Sequence, residues 1–156
     1  MKNNENFSIC SKCQGHCCKT MPGINHPDDF GYSKEKEIER LLKSGFYAID
    51  WYEGDPREGH DEFQVVYYIR PATIEGKRLN RIMDPSWGGQ CVLLNENGCS
   101  LKFEERPLAC RKLKPNPEFT TKGCQGEGKE DHALSWIKYQ KMICRIIKRN
   151  KFKSKY

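Results

Sequence analysis

The sequence has no apolar run approaching the roughly 18 residues that a membrane-crossing helix requires, and its opening Met1-Lys2-Asn3-Asn4-Glu5-Asn6 lacks the apolar core of a signal peptide. The expectation is a cytoplasmic protein with no membrane partner. Hydrophobic residues are scarce, 37% of the chain against 31% charged, so apolar burial alone leaves a thin margin over chain entropy. Something besides a core must help hold the chain together. Internal repeats, long low-complexity runs and domain-dividing linkers are missing, and a chain of 156 residues suits one core better than two. Residues 1–156 are therefore read as one domain. His-Glu-x-x-His and glycine-rich nucleotide motifs are absent, and His26, His60 and His132 are scattered, so no catalytic residue is assigned.

Acidic residues are missing from 132–156, where eight Lys or Arg leave 19 basic against 21 acidic residues elsewhere. This segment reads as a C-terminal basic helix and tail within the domain. Its charge suits either an ordinary solvated helix face or a surface for nucleic acid or an acidic partner.

Against these absences stand nine cysteines. Cytosolic thiols are kept reduced, so such a count points to metal or redox chemistry before a disulfide scaffold. The densest group is Cys10-Ser11-Lys12-Cys13-Gln14-Gly15-His16-Cys17-Cys18, whose first pair has the spacing of a metal knuckle. Its polar neighbours do not suit an apolar core. Side chains of adjacent residues diverge, so Cys17 and Cys18 suit two centres, two irons of one cluster, or one ligand beside one supporting thiol. Downstream, Cys91, Cys99, Cys110 and Cys124 bring the candidate metal ligands to eight, the number two four-thiolate sites would use. His16 is read as a supporting group, and Cys144, among Met142, Ile143, Ile146 and Ile147, as a free cysteine. Lys12, Lys19, Arg106, Arg111, Lys112 and Lys114 are cations near the candidate ligands in sequence and can donate to sulfur or lower thiol pKa values.

Periodicity places these residues on a coarse frame. Ser33 caps a helix with Ile38, Leu41 and Leu42 on one face, ended by Gly45. Phe46–Tyr52 is extended, and Phe63–Ile69, rich in Val and Tyr, suits a strand ending before Pro71. Cys91–Leu94 and Cys99–Leu101 flank Asn97-Gly98, a hairpin signal that brings Cys91 and Cys99 onto neighbouring strands. Pro107 starts a helical turn carrying Cys110. The last helix begins near Asp131 with Leu134, Ile137, Met142, Ile146 and Ile147 on its buried side. The sum is α+β: a small, irregular, cysteine-rich, metal-stabilised domain with a short β-hairpin and a few helices.

The ordered set Cys10, Cys13, Cys17, Cys18, then Cys91-Val-Leu-Leu, Asn-Gly98-Cys99 and Arg106-Pro107-Leu-Ala-Cys110-Arg111 resembles the YkgJ-like cysteine-cluster family, described as zinc- or iron-chelating and sometimes as iron–sulfur proteins. The resemblance covers nearly the whole chain, and Cys124 fits a late family cysteine. The family's proline after Cys-Arg is displaced here to Pro115, behind Lys112-Leu113-Lys114. A related cluster is similar to one in flagellin lysine methylases. The resemblance implies metal chelation and a compact cysteine-rich fold.

Three functions follow as expectations. The first is a metal-binding protein holding an iron–sulfur cluster, iron or zinc, with an accessory or maturation-type role. The second is a cluster-dependent modifying enzyme, or a thiol-redox enzyme using Cys17 or Cys18. The third is a zinc-stabilised module binding nucleic acid or protein through Lys138, Lys141, Arg145, Lys148 and Arg149.

Overall fold

The computed structural model describes residues 22–84, 89–95, 98–111 and 129–153. Branched and aromatic residues favour pleated backbone, and two such runs form the central pair of strands, β1 (Tyr47–Glu53) and β2 (Val65–Pro71). They pair antiparallel, with Tyr47 opposite Pro71, Ile49 opposite Ile69 and Glu53 opposite Val65. The expected extended segments are both present. The second runs two residues further than expected and includes Pro71, at a strand end where a missing N–H costs no ladder bond.

Ahead of β1 lies α1 (Lys34–Ser44), with Ile38 and Leu42 buried and Gly45 closing it in the left-handed region at φ 84°. Ser33 occupies the capping position without a side-chain cap bond. A short helix, α2 (Ile74–Arg78), follows β2, capped by the Thr73 hydroxyl. The hairpin expected around residues 97–98 forms from β3 (Leu94–Asn95) and β4 (Gly98–Cys99), with Leu94 opposite Cys99 and Asn95 opposite Gly98. Gly98 thus belongs to the strand and not to the connection, and Cys91 lies ahead of β3 instead of on it. Next come α3 (Leu108–Arg111), α4 (Lys129–Leu134) and α5 (Gln140–Lys153). The domain is α+β.

The single C-terminal helix expected from Asp131 is broken. A tight turn at Ile137–Tyr139 separates α4 from α5, and Leu134, expected inside, is 42% exposed. The break seats Trp136, fully buried, where its indole N–H donates to Asn25 O at 2.8 Å. It also lets the Gln140 amide complete the free edge of β2, with Oε1 accepting from Tyr67 N–H and Nε2 donating to Tyr67 O, both at 2.8 Å. Buried backbone groups left without partners are costly, so this side chain acts as a substitute strand.

The core is built from Ile24, Phe30, Ile38, Leu42, Ile49, Val66, Tyr68, Ile69, Trp136, Met142, Ile143, Ile146 and Ile147. Helix α5 packs against both α1 and β2. On its outer face Arg145 pairs with Glu35, and Arg149 with Glu35 and Glu39, across to α1. Two of the five cations proposed to meet nucleic acid are thus engaged within the protein. The Arg145 hydrogen bond is the main cause that holds Glu35 below the usual carboxylate range.

Candidate metal centre

Cys91 is buried, and its backbone is fixed by β-type pairing with the chain leaving β2. Residues Thr73 and Cys91 form an isolated antiparallel bridge, with Val92 N–H donating to Ala72 O at 2.9 Å and Ile74 N–H to Gln90 O at 3.0 Å. Past Cys91 the chain turns back, with Leu94 N–H donating to Cys91 O at 3.1 Å, and the Leu93 and Leu94 N–H groups favour the Cys91 thiolate. The Leu93 carbonyl faces the other way and accepts from Ser100 N–H at 2.8 Å and Ser100 Oγ at 2.6 Å. One short loop therefore cradles Cys91 and anchors the residue next to Cys99.

Cys110 arrives on α3, where Pro107 O accepts from Cys110 N–H at 2.9 Å and from Arg111 N–H at 3.0 Å. The Gly23 N–H favours the Cys110 thiolate, and Ala109 N–H donates to Ile24 O at 3.2 Å. Gly23 lies so close that a Cβ there would overlap the Cys110 sulfur. Its role is space, since it is not among the residues with positive φ.

Asp29 ties these pieces together. Its Oδ2 accepts from Asn25 Nδ2 at 3.0 Å, His26 N–H at 2.9 Å and Leu108 N–H at 3.1 Å. Its Oδ1 pairs with Arg111. The segment that begins at Gly23 and the helix that carries Cys110 are thus clamped by one carboxylate. Arg111, expected to serve sulfur, serves this clamp instead, with its Nε donating to Arg106 O at 2.9 Å. Arg106 keeps the expected role, its charge favouring the Cys110 thiolate.

Cys91, Cys99 and Cys110 lie near enough for their charges to interact. Burial, reinforced by nearby Cys99, pushes the Cys91 thiol up to about 11. Burial, then Cys91 and Cys99, push Cys110 up to about 12. The Tyr47 phenol, packed edge-on against Phe30, is pushed up to about 12 by burial, then by Cys91, Cys99, Asp29 and Cys110. Neighbouring thiols raise Cys91, Cys110 and Tyr47 because adding a second negative charge to a poorly hydrated site is unfavourable. Among the described residues, no three His, Cys, Asp or Glu side chains are gathered tightly enough to hold a metal ion by themselves.

Of the eight candidate ligands, Cys91, Cys99 and Cys110 are brought to one region, while Cys10, Cys13, Cys17, Cys18 and Cys124 lie outside the described residues. So do His16, Lys12, Lys19, Lys112 and Lys114. Cys144 is an exposed free cysteine. His26 caps the turn at Pro27–Phe30, His132 is buried and His60 exposed. Sequence reasoning missed Gly23, Asp29, Tyr47 and Thr73, which carry no motif of their own. The only sequence signal was the Pro22-Gly23 pair, a mark of a turn with no hint of a sulfur beside it.

A small α+β domain that brings thiols from separated segments near one another fits the class of cysteine-cluster proteins. The family model CxxCxxCC, described as "Putative zinc- or iron-chelating domain", matches residues 9–139. The chain belongs to this family. No curated protein and no solved structure matches it. Among the described residues, no helix is long and apolar enough to cross a membrane.

Proposed function

We propose that this is a metal-binding protein of the cytoplasm in which Cys91, Cys99 and Cys110, with Cys10, Cys13, Cys17, Cys18 and Cys124, hold iron as an iron–sulfur cluster or as ions. Zinc is the competing occupant, and the role is accessory or maturation-type. One observation carries the reading: Cys91, Cys99 and Cys110 lie near enough for their charges to raise the Cys91 and Cys110 pKa values, where backbone N–H groups favour the thiolate form of both. A neutral thiol has little use for such donors, whereas a thiolate bound to a metal does. The donor set fits a thiophilic metal, since soft sulfur ligands select zinc, iron and iron–sulfur centres. The space kept open by Gly23 admits a sulfur that a side chain would displace. When bound, the metal supplies the positive charge that lets these buried thiols ionise together.

Among the described residues, no cysteine belongs to the apolar cluster around β1, β2, α1 and α5. Metal removal is therefore expected to loosen residues 89–111 while that core persists, a narrower effect than the scarcity of apolar residues alone implies. Anaerobic purification with elemental analysis and an absorption spectrum tests the proposal. A brown protein with iron and acid-labile sulfide is the expected result. Colourless protein with stoichiometric zinc replaces iron by zinc. Protein with neither metal, or with the same metal content in Cys110→Ser as in the wild type, defeats the reading; Cys144→Ser serves as the unaffected control.

A further inference from the structure

We infer that the buried cluster of Arg70, Asp84 and Thr73 is a positioning unit that sets the Cys91 corner of the thiol site. The inference rests on the metal-binding reading above. Thr73 is where the cluster meets the site. Its backbone bridges Cys91, and an added Cβ at Gly89 would lie 3.3 Å from its Cγ2, so Thr73 also packs against the chain just ahead of Cys91. Its hydroxyl donates to Asp84 Oδ2 at 3.0 Å and accepts from Gly76 N–H at 3.0 Å. The Thr73 N–H also points at Asp84 Oδ2, at 3.3 Å. Asp84 thus holds both the hydroxyl and the N–H of Thr73.

Asp84 is in turn held by β1 and by Arg70. Its N–H donates to Ile49 O at 2.9 Å. Arg70, 1% exposed, sends Nη1 to Asp84 Oδ2 at 3.3 Å, Nη2 to Asp84 O at 2.9 Å and Nε to Asp50 Oδ2 at 2.9 Å. Asp50 is completed by the Tyr68 hydroxyl at 2.9 Å and the Trp51 N–H at 2.7 Å. Gly76 belongs to the same fit: a Cβ there would come within 2.7 Å of Asp84 Oδ2 and 3.2 Å of Thr73 Oγ1. Two buried carboxylates around one guanidinium are no aid to stability that apolar side chains could not match. What they add is direction, running from β1 and β2 through Thr73 to the backbone of Cys91. The Arg70 charge also acts on Cys91 in the sense that favours its thiolate.

The test compares Thr73→Val, which keeps the shape and loses the hydroxyl, with Thr73→Ser, which restores it. Gln140→Leu serves as a core variant remote from the thiols. Zinc-loaded full-length proteins are mixed with a chromophoric chelator and metal release is timed. Loss of a group supporting a ligand typically costs about 10–100-fold, so Thr73→Val is expected to release zinc faster by that factor. Thr73→Ser should stay near the wild-type rate, and Gln140→Leu should match the wild type despite its lower stability. Equal acceleration in Thr73→Val and Gln140→Leu, or none in Thr73→Val, overturns the inference. A wild type that retains no zinc or iron defeats the metal reading instead. Residue-resolved alkylation of the metal-free proteins then decides the positioning role: Cys91 should react faster in Thr73→Val with Cys110 unchanged, and an equal change at both rejects it.

Discussion

Gly23→Ala perturbs the proposed site by a single methyl group. The added Cβ would overlap the Cys110 sulfur, and it would also sit 3.4 Å from Cys110 N and 3.5 Å from Ala109 Cβ. Restoring an ordinary separation of about 3.5–4.0 Å requires the sulfur or the backbone to retreat by on the order of 1 Å. The backbone is poorly placed to yield. Ile24 O holds Ala109 N–H, and Asp29 clamps the segment to Leu108 and Arg111. The sulfur therefore moves, and it does so against a metal–ligand tolerance of about 0.2 Å. Metal affinity should fall by at least the roughly 10–100-fold seen when a supporting group is lost. The apolar core does not involve Gly23, so far-ultraviolet circular dichroism should change little. Competition titration with a zinc chelator, alongside circular dichroism, checks both halves. Wild-type affinity in a folded Gly23→Ala protein would refute the placement of Cys110 in the site.

Asp29→Asn should release the Cys110 helix, giving faster alkylation of Cys110 in metal-free protein at an unchanged Cys91 rate; equal rates at Cys110 would contradict the clamp. Cys91 and Cys110 are protonated at neutral pH, raised to about 11 and about 12, and both protons must leave when metal binds. Apparent zinc affinity should thus fall by at least about 100-fold per pH unit as pH drops from about 7 to 6, and a slope of about tenfold or less would exclude two ligating thiols. In the metal-free protein the sign reverses: the folded state holds the Cys91 proton more tightly than the unfolded chain does, so stability falls as pH rises from 9.0 through about 11. Gln140→Leu leaves the Tyr67 N–H and C=O without their partner and should cost about 2–6 kcal/mol in denaturant unfolding, at roughly 1–3 kcal/mol per orphaned group.

Local patterns carried the elements of this fold well. The Ile38, Leu41, Leu42 stripe and Gly45 defined α1 because a helix face and its left-handed end are set within a few residues. The Val- and Tyr-rich run likewise defined β2. Failures came where long-range partners overrode local preference. Leu134 has the right spacing for a buried face, yet seating Trp136 against Asn25 and Gln140 against Tyr67 breaks the helix and turns Leu134 outward. Asn97-Gly98 signalled a hairpin correctly, but Gly98 pairs with Asn95, and Cys91 takes its register from Thr73 instead. The cysteines were legible because thiols are rare and chemically distinctive. The residues that aim them, Asp29, Thr73 and Asp84, are ordinary polar types whose partners lie far along the chain, as with Asp29 and Leu108. Arg145 and Arg149 show the same limit for charge: a basic segment gives no sign that Glu35 and Glu39 are its partners.

Sulfur ligation of metal by cysteines from separated segments is the claim on which the other expectations depend. X-ray absorption at the zinc and iron edges of anaerobically purified full-length protein tests it most directly. The expected spectrum is dominated by sulfur neighbours at about 2.3 Å, with the sulfur contribution reduced in Cys91→Ser and Cys110→Ser. A first shell made only of nitrogen and oxygen at about 2.0–2.2 Å, or one unchanged in both variants, would contradict the account.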